Sequence, residues 1–434
     1  MPFSIILGIG IYHFRVGLKL AVDKTREFTI MDSMKRIYET LIADNLSRSR
    51  QMALISGPRQ VGKTTTAKQV LPKAAYLNYD LNKDALAIRG GAAKIAQVVD
   101  LANPLKAKNG IIFGEVHKFP KWKNLLKGFF DSYADNKIKV AVTGSARMDI
   151  YKRGGDSLMG RYFMYRIHPL SAREAVSANV EIEKIFQAPA KISNKQIEKL
   201  LEFGGYPEPY LNANKRFYNN WKNLRLEQLF SEDLRDLSRV QDIKGIRALS
   251  ELLGGRVSSG INYSSLGNEL GVASDTSKSW INILESMYYC YSIRPWFKNI
   301  ANSIRKQPKV YLWDWSLVRG EGARNENFVA SHLLKAAHWW TDCGLGVFDL
   351  FYLRDKLQRE VDFLLTKDSK PFMLVEVKSS GKDPLNPNLR LFQKTLNVPY
   401  AFQVAFDMPV SEIMPTDYGT PIKISVADLL KILV

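Results

Sequence analysis

An apolar run, Met52-Ala53-Leu54-Ile55, leads almost directly into Gly57-Pro58-Arg59-Gln60-Val61-Gly62-Lys63-Thr64-Thr65. A buried strand opening into G-x-x-x-x-G-K-[ST] admits few folds, because the spacing serves a phosphate. Gly57 and Gly62 allow a turn in which successive backbone N–H groups point inward at a polyphosphate. Lys63 supplies a point charge for the β- and γ-phosphates, and the Thr64 hydroxyl is the expected Mg²⁺ ligand. A helix expected to begin near Lys63 presents its positive end to the same spot. Residues 57–65 are therefore the expected ATP contacts.

Short apolar runs follow at 74–80, 110–117, 138–146 and 162–170. Between them, Trp122, Leu125, Leu126, Phe129 and Phe130 keep the spacing of one helix face. This alternation predicts an α/β domain, a parallel sheet covered on both faces, with ligands beyond the carboxyl ends of the strands. Glu115 falls at such an end and is expected to polarise the attacking water. Thr143 and Ser145, at the next strand end, are candidate sensors of the γ-phosphate. The residue before such a Glu is usually an Asp that holds the Mg²⁺ shell; here it is Gly114. Retained binding with slow hydrolysis is the expectation.

Lys and Arg number 62 against 43 Asp and Glu, a net charge of +19. That surplus favours a polyanionic partner, whether nucleic acid, nucleotide or an anionic surface, although a generally basic soluble protein would carry it too. With 46% hydrophobic residues the chain is globular, and 434 residues suggest roughly two to four domains. Cys290 and Cys343 form no pair pattern, which fits a reducing cytoplasm and argues against a thiolate metal site. No apolar run approaches the roughly 20 residues needed to span a bilayer, so no membrane partner is expected. The apolar stretch 3–12 has no basic residue before it and is not read as a signal peptide. Residues 1–30 are expected to be a peripheral extension, or untranslated if Met31 or Met34 is the start.

Residues 175–199 read as polar helix, and Gly204-Gly205-Tyr206-Pro207 as a domain boundary. Farther on, Trp221, Leu224, Leu226, Leu229 and Phe230 suit a helix. Residues 263–289 predict a helix-turn-helix: Ser264 as N-cap, a turn at Gly271, and a second helix from Asp275. Its expected core is Leu266, Leu270, Val272, Trp280, Ile283 and Leu284. The run through Ile293 and the basic stretch 298–314 would form a wing. Such a winged helix either binds DNA, with Lys278 and Arg305 facing phosphate or groove, or adapts one domain to another.

Near the carboxyl terminus, a helix around 325–335 carries Glu326, and strands are expected at 347–355, 360–367 and 372–378. Side chains alternate along a strand, so Glu376 and Lys378 share a face. If the last two strands pair as a hairpin, Asp362, Glu376 and Lys378 converge. Two carboxylates would then hold Mg²⁺, with the Lys activating water. This pattern resembles the PD-(D/E)XK restriction-endonuclease-like fold, with Glu326 matching its first-helix acid.

Taken in order, GPRQVGKTT, IIFGEVHKFPKWKNLLKGFFD, VTGSARMD, GGDSLMGRYFMYRIHPLS and FGGYPEPYL resemble a family of prokaryotic AAA-type ATPases with a C-terminal domain of unknown function. The resemblance covers nearly everything after residue 31. It implies an AAA-type ATP-binding domain at 31–204, a helical and winged-helix domain at 205–305, and a nuclease-like domain at 306–434. It implies ATP and Mg²⁺ as cofactors, and it puts Arg161 where an arginine finger or sensor sits. The family has Asp where this chain has Gly114. The expected function is an ATPase with impaired hydrolysis. An ATP-switched DNA-binding or Mg²⁺-dependent nuclease protein and an inactive interaction protein are the alternatives.

Overall fold

The computed structural model describes residues 34–101, 110–133, 138–144, 158–234, 242–296, 307–410 and 419–434. The 1–30 extension, Ser145 and Arg305 lie outside them. The amino-terminal domain is built on five parallel strands, β1 (Met52–Ser56), β2 (Ala75–Asn78), β3 (Gly110–Gly114), β4 (Lys139–Gly144) and β5 (Tyr162–Arg166), in the order β2-β3-β4-β1-β5. Its helices are α1 (Ile37–Arg48), α2 (Lys63–Val70), α3 (Asn82–Arg89), α4 (Gly91–Val98) and α5 (Trp122–Tyr133).

Every residue of β1 and β3 is buried, which is why both read as unbroken apolar runs. Alternation along β1 feeds two cores. Ala53 and Ile55 pack with Tyr38, Leu41 and Ile42 of α1, while Met52 and Leu54 join Leu126 and Phe129 of α5. The helical spacing read at 122–130 is the buried face of α5, and Phe129 meets Phe113 edge to face at 5.8 Å.

The expected helix at 175–199 forms only from Asn194. There α6 (Asn194–Phe203) starts with a capping box between Ser193 and Gln196. Upstream, side chains satisfy the backbone instead of a helical ladder. Gln187 Nε2 donates to the carbonyls of Glu181 and Lys184, and Arg173 Nη1 to those of Ala188 and Lys431. The middle region then runs α7 (Pro207–Asn212), α8 (Lys215–Gln228), α9 (Ile243–Leu253), α10 (Tyr263–Leu270) and α11 (Ser274–Ser286). The helix-turn-helix pair is α10 and α11, with Gly271 left-handed at φ 69° between them. The cap of α10 is Asn262, which accepts from the N–H groups of Ser264 and Ser265, not Ser264 itself. Leu266, Trp280 and Leu284 are buried as read; Ile281 is buried, while Leu270, Val272 and Ile283 are half-buried.

The second sheet holds β6 (Cys290–Pro295), β7 (Lys309–Leu312), β8 (Phe348–Arg354), β9 (Glu360–Lys367), β10 (Lys370–Lys378), β11 (Tyr400–Ala405) and β12 (Ile422–Ser425), with helices α12 (Glu321–Asp342), α13 (Pro387–Leu396) and α14 (Val426–Ile432). The strand order is β12-β11-β10-β9-β8-β6-β7. The residues expected as a wing, β6 and β7, pair antiparallel with each other, and β6 pairs parallel with β8. They thus extend the C-terminal sheet across residue 305. Helix α12 packs against β8 and β10 and also against β5 of the first sheet. Contact on opposite sides explains burial of Phe328, Leu333, Ala336, Trp339 and Trp340 around its girth. No helix among the described residues is long and apolar enough to cross a membrane.

Candidate nucleotide-binding site

Residues 57–65 form the turn from β1 into the first turn of α2. A β-carbon on Gly57, at φ +150°, would come within 2.2 Å of the Ile167 carbonyl oxygen, so no side chain fits there. Gln60 and Gly62 are left-handed at φ 63° and 98°. This alternation of backbone hand turns N–H groups inward, the concavity that binds anions. Val61 is sealed in the core beneath. Lys63 Nζ folds back to donate to the carbonyls of Gly57 at 3.0 Å and Pro58 at 2.6 Å. Arg59 reaches out instead, 2.8 Å from Glu232 of the middle region.

The carboxyl ends of β3 and β4 open beside this loop, because Ile55 of β1 pairs with Thr143, and Thr143 with Gly114. Glu115 leaves β3 left-handed at φ 52°, with its N–H donating to the Thr143 carbonyl at 2.9 Å. Its carboxylate lies 3.6 Å from His117 Nε2. Burial pushes the His117 imidazole down, against the pull of Glu115, so the ring is neutral at neutral pH. Thr143 Oγ1 sits 3.4 Å from the Phe113 carbonyl. The structure thus brings Lys63, Thr64, Glu115 and Thr143 to the carboxyl end of the sheet's central strands.

Gly114 lies against a side chain from the neighbouring strand. A β-carbon there would stand 2.6 Å from the Tyr76 hydroxyl and 3.0 Å from the ring atom Cε2. Tyr76 comes from β2, where Asn78 pairs with Gly114. Tyr76 is the residue that sequence reading missed; it gave only a strand pattern, and the contact crosses to a different strand. The donor set suits Mg²⁺, which keeps several waters and takes few protein ligands: Thr64 Oγ1 stands at the start of α2, beside the cradle for phosphate oxygens.

Arg161 is not part of this cluster. It precedes β5, at the end of the sheet opposite the loop, about 13 Å away along a five-residue strand. There its guanidinium grips Asp131 at 2.7 and 3.0 Å.

The four C-terminal residues do converge. Strands β9 and β10 form the expected hairpin. The Val377 N–H donates to Asp362 Oδ2 at 2.9 Å, and the Asp362 N–H to Glu376 Oε2 at 3.3 Å. Lys378 Nζ lies 2.8 Å from Glu376 Oε1, as their shared face requires. The unforeseen member is Lys309. Its ammonium stands 2.6 Å from Glu360, 3.5 Å from Glu326 and 3.9 Å from Asp362. Burial would lower this ammonium's pKa, but Glu326, Asp362 and Glu360 outweigh burial and raise it, so it stays charged. Burial and the carboxylates of Glu326 and Glu376 push Asp362 well up. Among the described residues, no three His, Cys, Asp or Glu side chains are gathered so as to hold a metal ion. Lys309 thus joins Glu326, Glu360 and Asp362 in one cluster of buried and half-buried charge.

Residues 49–176 match the family model for an AAA domain. That match, on a loop of this geometry, supports an AAA-type ATPase. Residues 194–322 match a model described as Domain of unknown function (DUF8612), and 321–407 one described as Domain of unknown function (DUF4143). An uncharacterized protein of Mycobacterium tuberculosis is 22% identical over 353 residues, covering 78% of this chain and 73% of its own. One of Methanocaldococcus jannaschii is 22% identical over 387 residues, covering 81% and 85%. Among solved structures, a Walker-type ATPase of Pyrococcus abyssi covers 64% of this chain and 93% of its own, at 14% identity and a TM-score of 0.40. The Orc1 protein of Aeropyrum pernix, solved in complex with DNA, covers 64% and 88%, at 14% identity and a TM-score of 0.31.

The AAA domain is tied to α12 through buried charge. Glu174 accepts from Arg36 Nε at 2.9 Å and from Lys335 of α12. Burial would raise the Glu174 carboxyl, but the two cations outweigh it and hold it down at about 2. Close by, His168 Nε2 lies 2.8 Å from His338 Nδ1 of the same helix. The edge of the AAA domain is thus one wall of the joint with the C-terminal region.

Proposed function

We propose that the chain binds ATP with Mg²⁺ on residues 57–65 and hydrolyses it slowly. The observation that carries this reading is the loop itself, left-handed at Gln60 and Gly62 and leading Lys63 into α2. In the bound state Lys63 Nζ exchanges the Gly57 and Pro58 carbonyls for β- and γ-phosphate oxygens. Thr64 Oγ1 holds the metal, which when bound neutralises charge developing on the phosphates. Glu115 orients and polarises the attacking water. Gly114 adds no carboxylate, so hydrolysis suffers more than binding. Arg161 takes no part within one chain, since Asp131 engages it. ATP titration together with an ATPase assay, run with and without DNA, tests this: tight binding and slow turnover are expected.

A second reading, an ATP-switched DNA-binding protein of the cytoplasm, draws on the net charge of +19 and the α10–α11 pair. Phosphate contacts release counterions, so DNA affinity that falls steeply with salt would support it. The winged-helix and nuclease-like assignments and the 204/205 and 305/306 divisions belong to the same reading. DNA cleavage is its least supported part, given Lys309 among the carboxylates.

A further inference from the structure

We propose that a cavity of about 400 Å³ beside the phosphate loop is a second small-molecule site. Its ligand is a flat heteroaromatic ring carrying one anionic group, with the size and character of a nucleoside monophosphate. The cavity lies where three regions meet, lined by β5 of the AAA domain, by the end of α11 with β6, and by α12. Its volume falls within the roughly 300–1,000 Å³ of small-molecule sites, which favour such junctions. Gly57 is in its wall, but Lys63 and Thr64 are not. The cavity is therefore not the phosphate cradle, and the proposal does not depend on the nucleotide reading.

The ring is called for by aromatic walls. Trp313 meets Tyr288 edge to face at 5.0 Å and Tyr291 at 5.8 Å, and all three line the cavity. Such side chains bind a flat ring by stacking or by edge contact. Tyr288 is held there against local preference. It follows α11, where its N–H donates to the Glu285 carbonyl and the Tyr289 N–H to the Leu284 carbonyl. Tyr288 is left-handed at φ 57°, a position that glycine usually fills. The fold thus accepts backbone strain and keeps an aromatic side chain at the wall.

The anion is called for by two arginines, Arg166 and Arg294, against one acid, Glu285. Arg166 is fixed from behind. Its Nε donates to Asp342 at 3.1 Å and its Nη2 to Asp342 and to the His338 carbonyl. Its Nη1 makes no hydrogen bond among the described residues and is left for a ligand. Arg294, exposed on β6, adds a second cation. Glu285 offers an acceptor to a ring N–H, which favours a heteroaromatic ring over a plain hydrocarbon.

Calorimetric titration of AMP and of adenosine into the full chain tests this, with wild type, Lys63→Ala, Arg294→Ala and Ser292→Trp. AMP should bind wild type and Lys63→Ala within about twofold of each other, because Lys63 lies outside the cavity. Adenosine, without the anion, should bind about fivefold more weakly than AMP, the worth of a charge-assisted hydrogen bond. Arg294→Ala alters an exposed side chain and should bring AMP down towards adenosine. Ser292 also lines the cavity. An indole in its place fills the space and should cost both ligands at least roughly tenfold. A wild type that takes up no AMP would overturn the proposal. So would AMP binding that Lys63→Ala abolishes, since the ligand would then sit on the phosphate loop. A folded Ser292→Trp protein with wild-type AMP affinity would overturn it as well. AMP binding of the expected pattern in a protein that binds no ATP would support the cavity and bring down the nucleotide reading alone.

Discussion

Arg36 Nη1 donates a hydrogen bond to the Val61 carbonyl at 2.5 Å, so a residue outside the phosphate loop holds the loop's floor. The same guanidinium binds Glu174, and Glu174 also binds Lys335 on α12. A chain of buried charge therefore runs from the loop to the C-terminal sheet's long helix, through a site where phosphate charge is expected to arrive and depart. Glu174 is the member shared by both ends.

Glu174→Gln should destabilise the protein by about 3–5 kcal/mol, because it leaves two buried cations without their anion. The wild-type carboxyl is held at about 2 against an ordinary 4.5. The folded state thus binds fewer protons than the unfolded chain between those values. The stability it lends is fully present above the ordinary value and is lost as pH falls towards the folded one. Chemical melts of wild type should weaken across that window, and Glu174→Gln should weaken less. Parallel acid profiles for the two proteins would contradict this role.

Gly114→Asp alone should not speed hydrolysis. The new β-carbon meets the Tyr76 hydroxyl at 2.6 Å, and overpacking at such a site costs about 1–3 kcal/mol. With Tyr76→Ala in the same chain, kcat should rise roughly tenfold, equivalent to about 1.4 kcal/mol of transition-state stabilisation. A single Gly114→Asp variant that folds normally and turns over tenfold faster would show that Tyr76 is no obstacle.

Lys309→Met should be markedly destabilising, by several kcal/mol, since Glu326, Glu360 and Asp362 lose the ammonium they share. Wild-type protein should leave both single- and double-stranded DNA intact in Mg²⁺ or Mn²⁺. Metal-dependent nicking that Asp362→Ala or Lys378→Ala abolishes would contradict the lysine-filled reading and restore the nuclease.

What the sequence carries in short range was legible. The loop, the strand before it, the α5 face from Trp122 to Phe130 and the β9–β10 hairpin each depend on spacing along one segment or on one local turn. What was not legible depends on distant segments meeting. Tyr76 reaches Gly114 across strands, and nothing in YLNY announces it. Lys309 sits in a basic stretch that reads as a wing, yet its ammonium is claimed by acids from α12 and β9. β6 follows α11 as a wing would, but pairing with β8 carries it into another sheet. Residues 175–193 are polar enough for a helix, but Arg173 and Gln187 bind backbone carbonyls there and hold the segment irregular.

The central claim is that residues 57–65 grip a nucleotide through Lys63. Calorimetric titration of ATP and Mg²⁺ into wild type and Lys63→Ala tests it most directly. Wild type should bind with measurable heat. Lys63→Ala should show at least a tenfold loss, about 1.4 kcal/mol or more, because a charge-assisted contact to the β- and γ-phosphates is gone. A correctly folded Lys63→Ala protein with unchanged ATP affinity, or a wild type that binds no nucleotide, would contradict it.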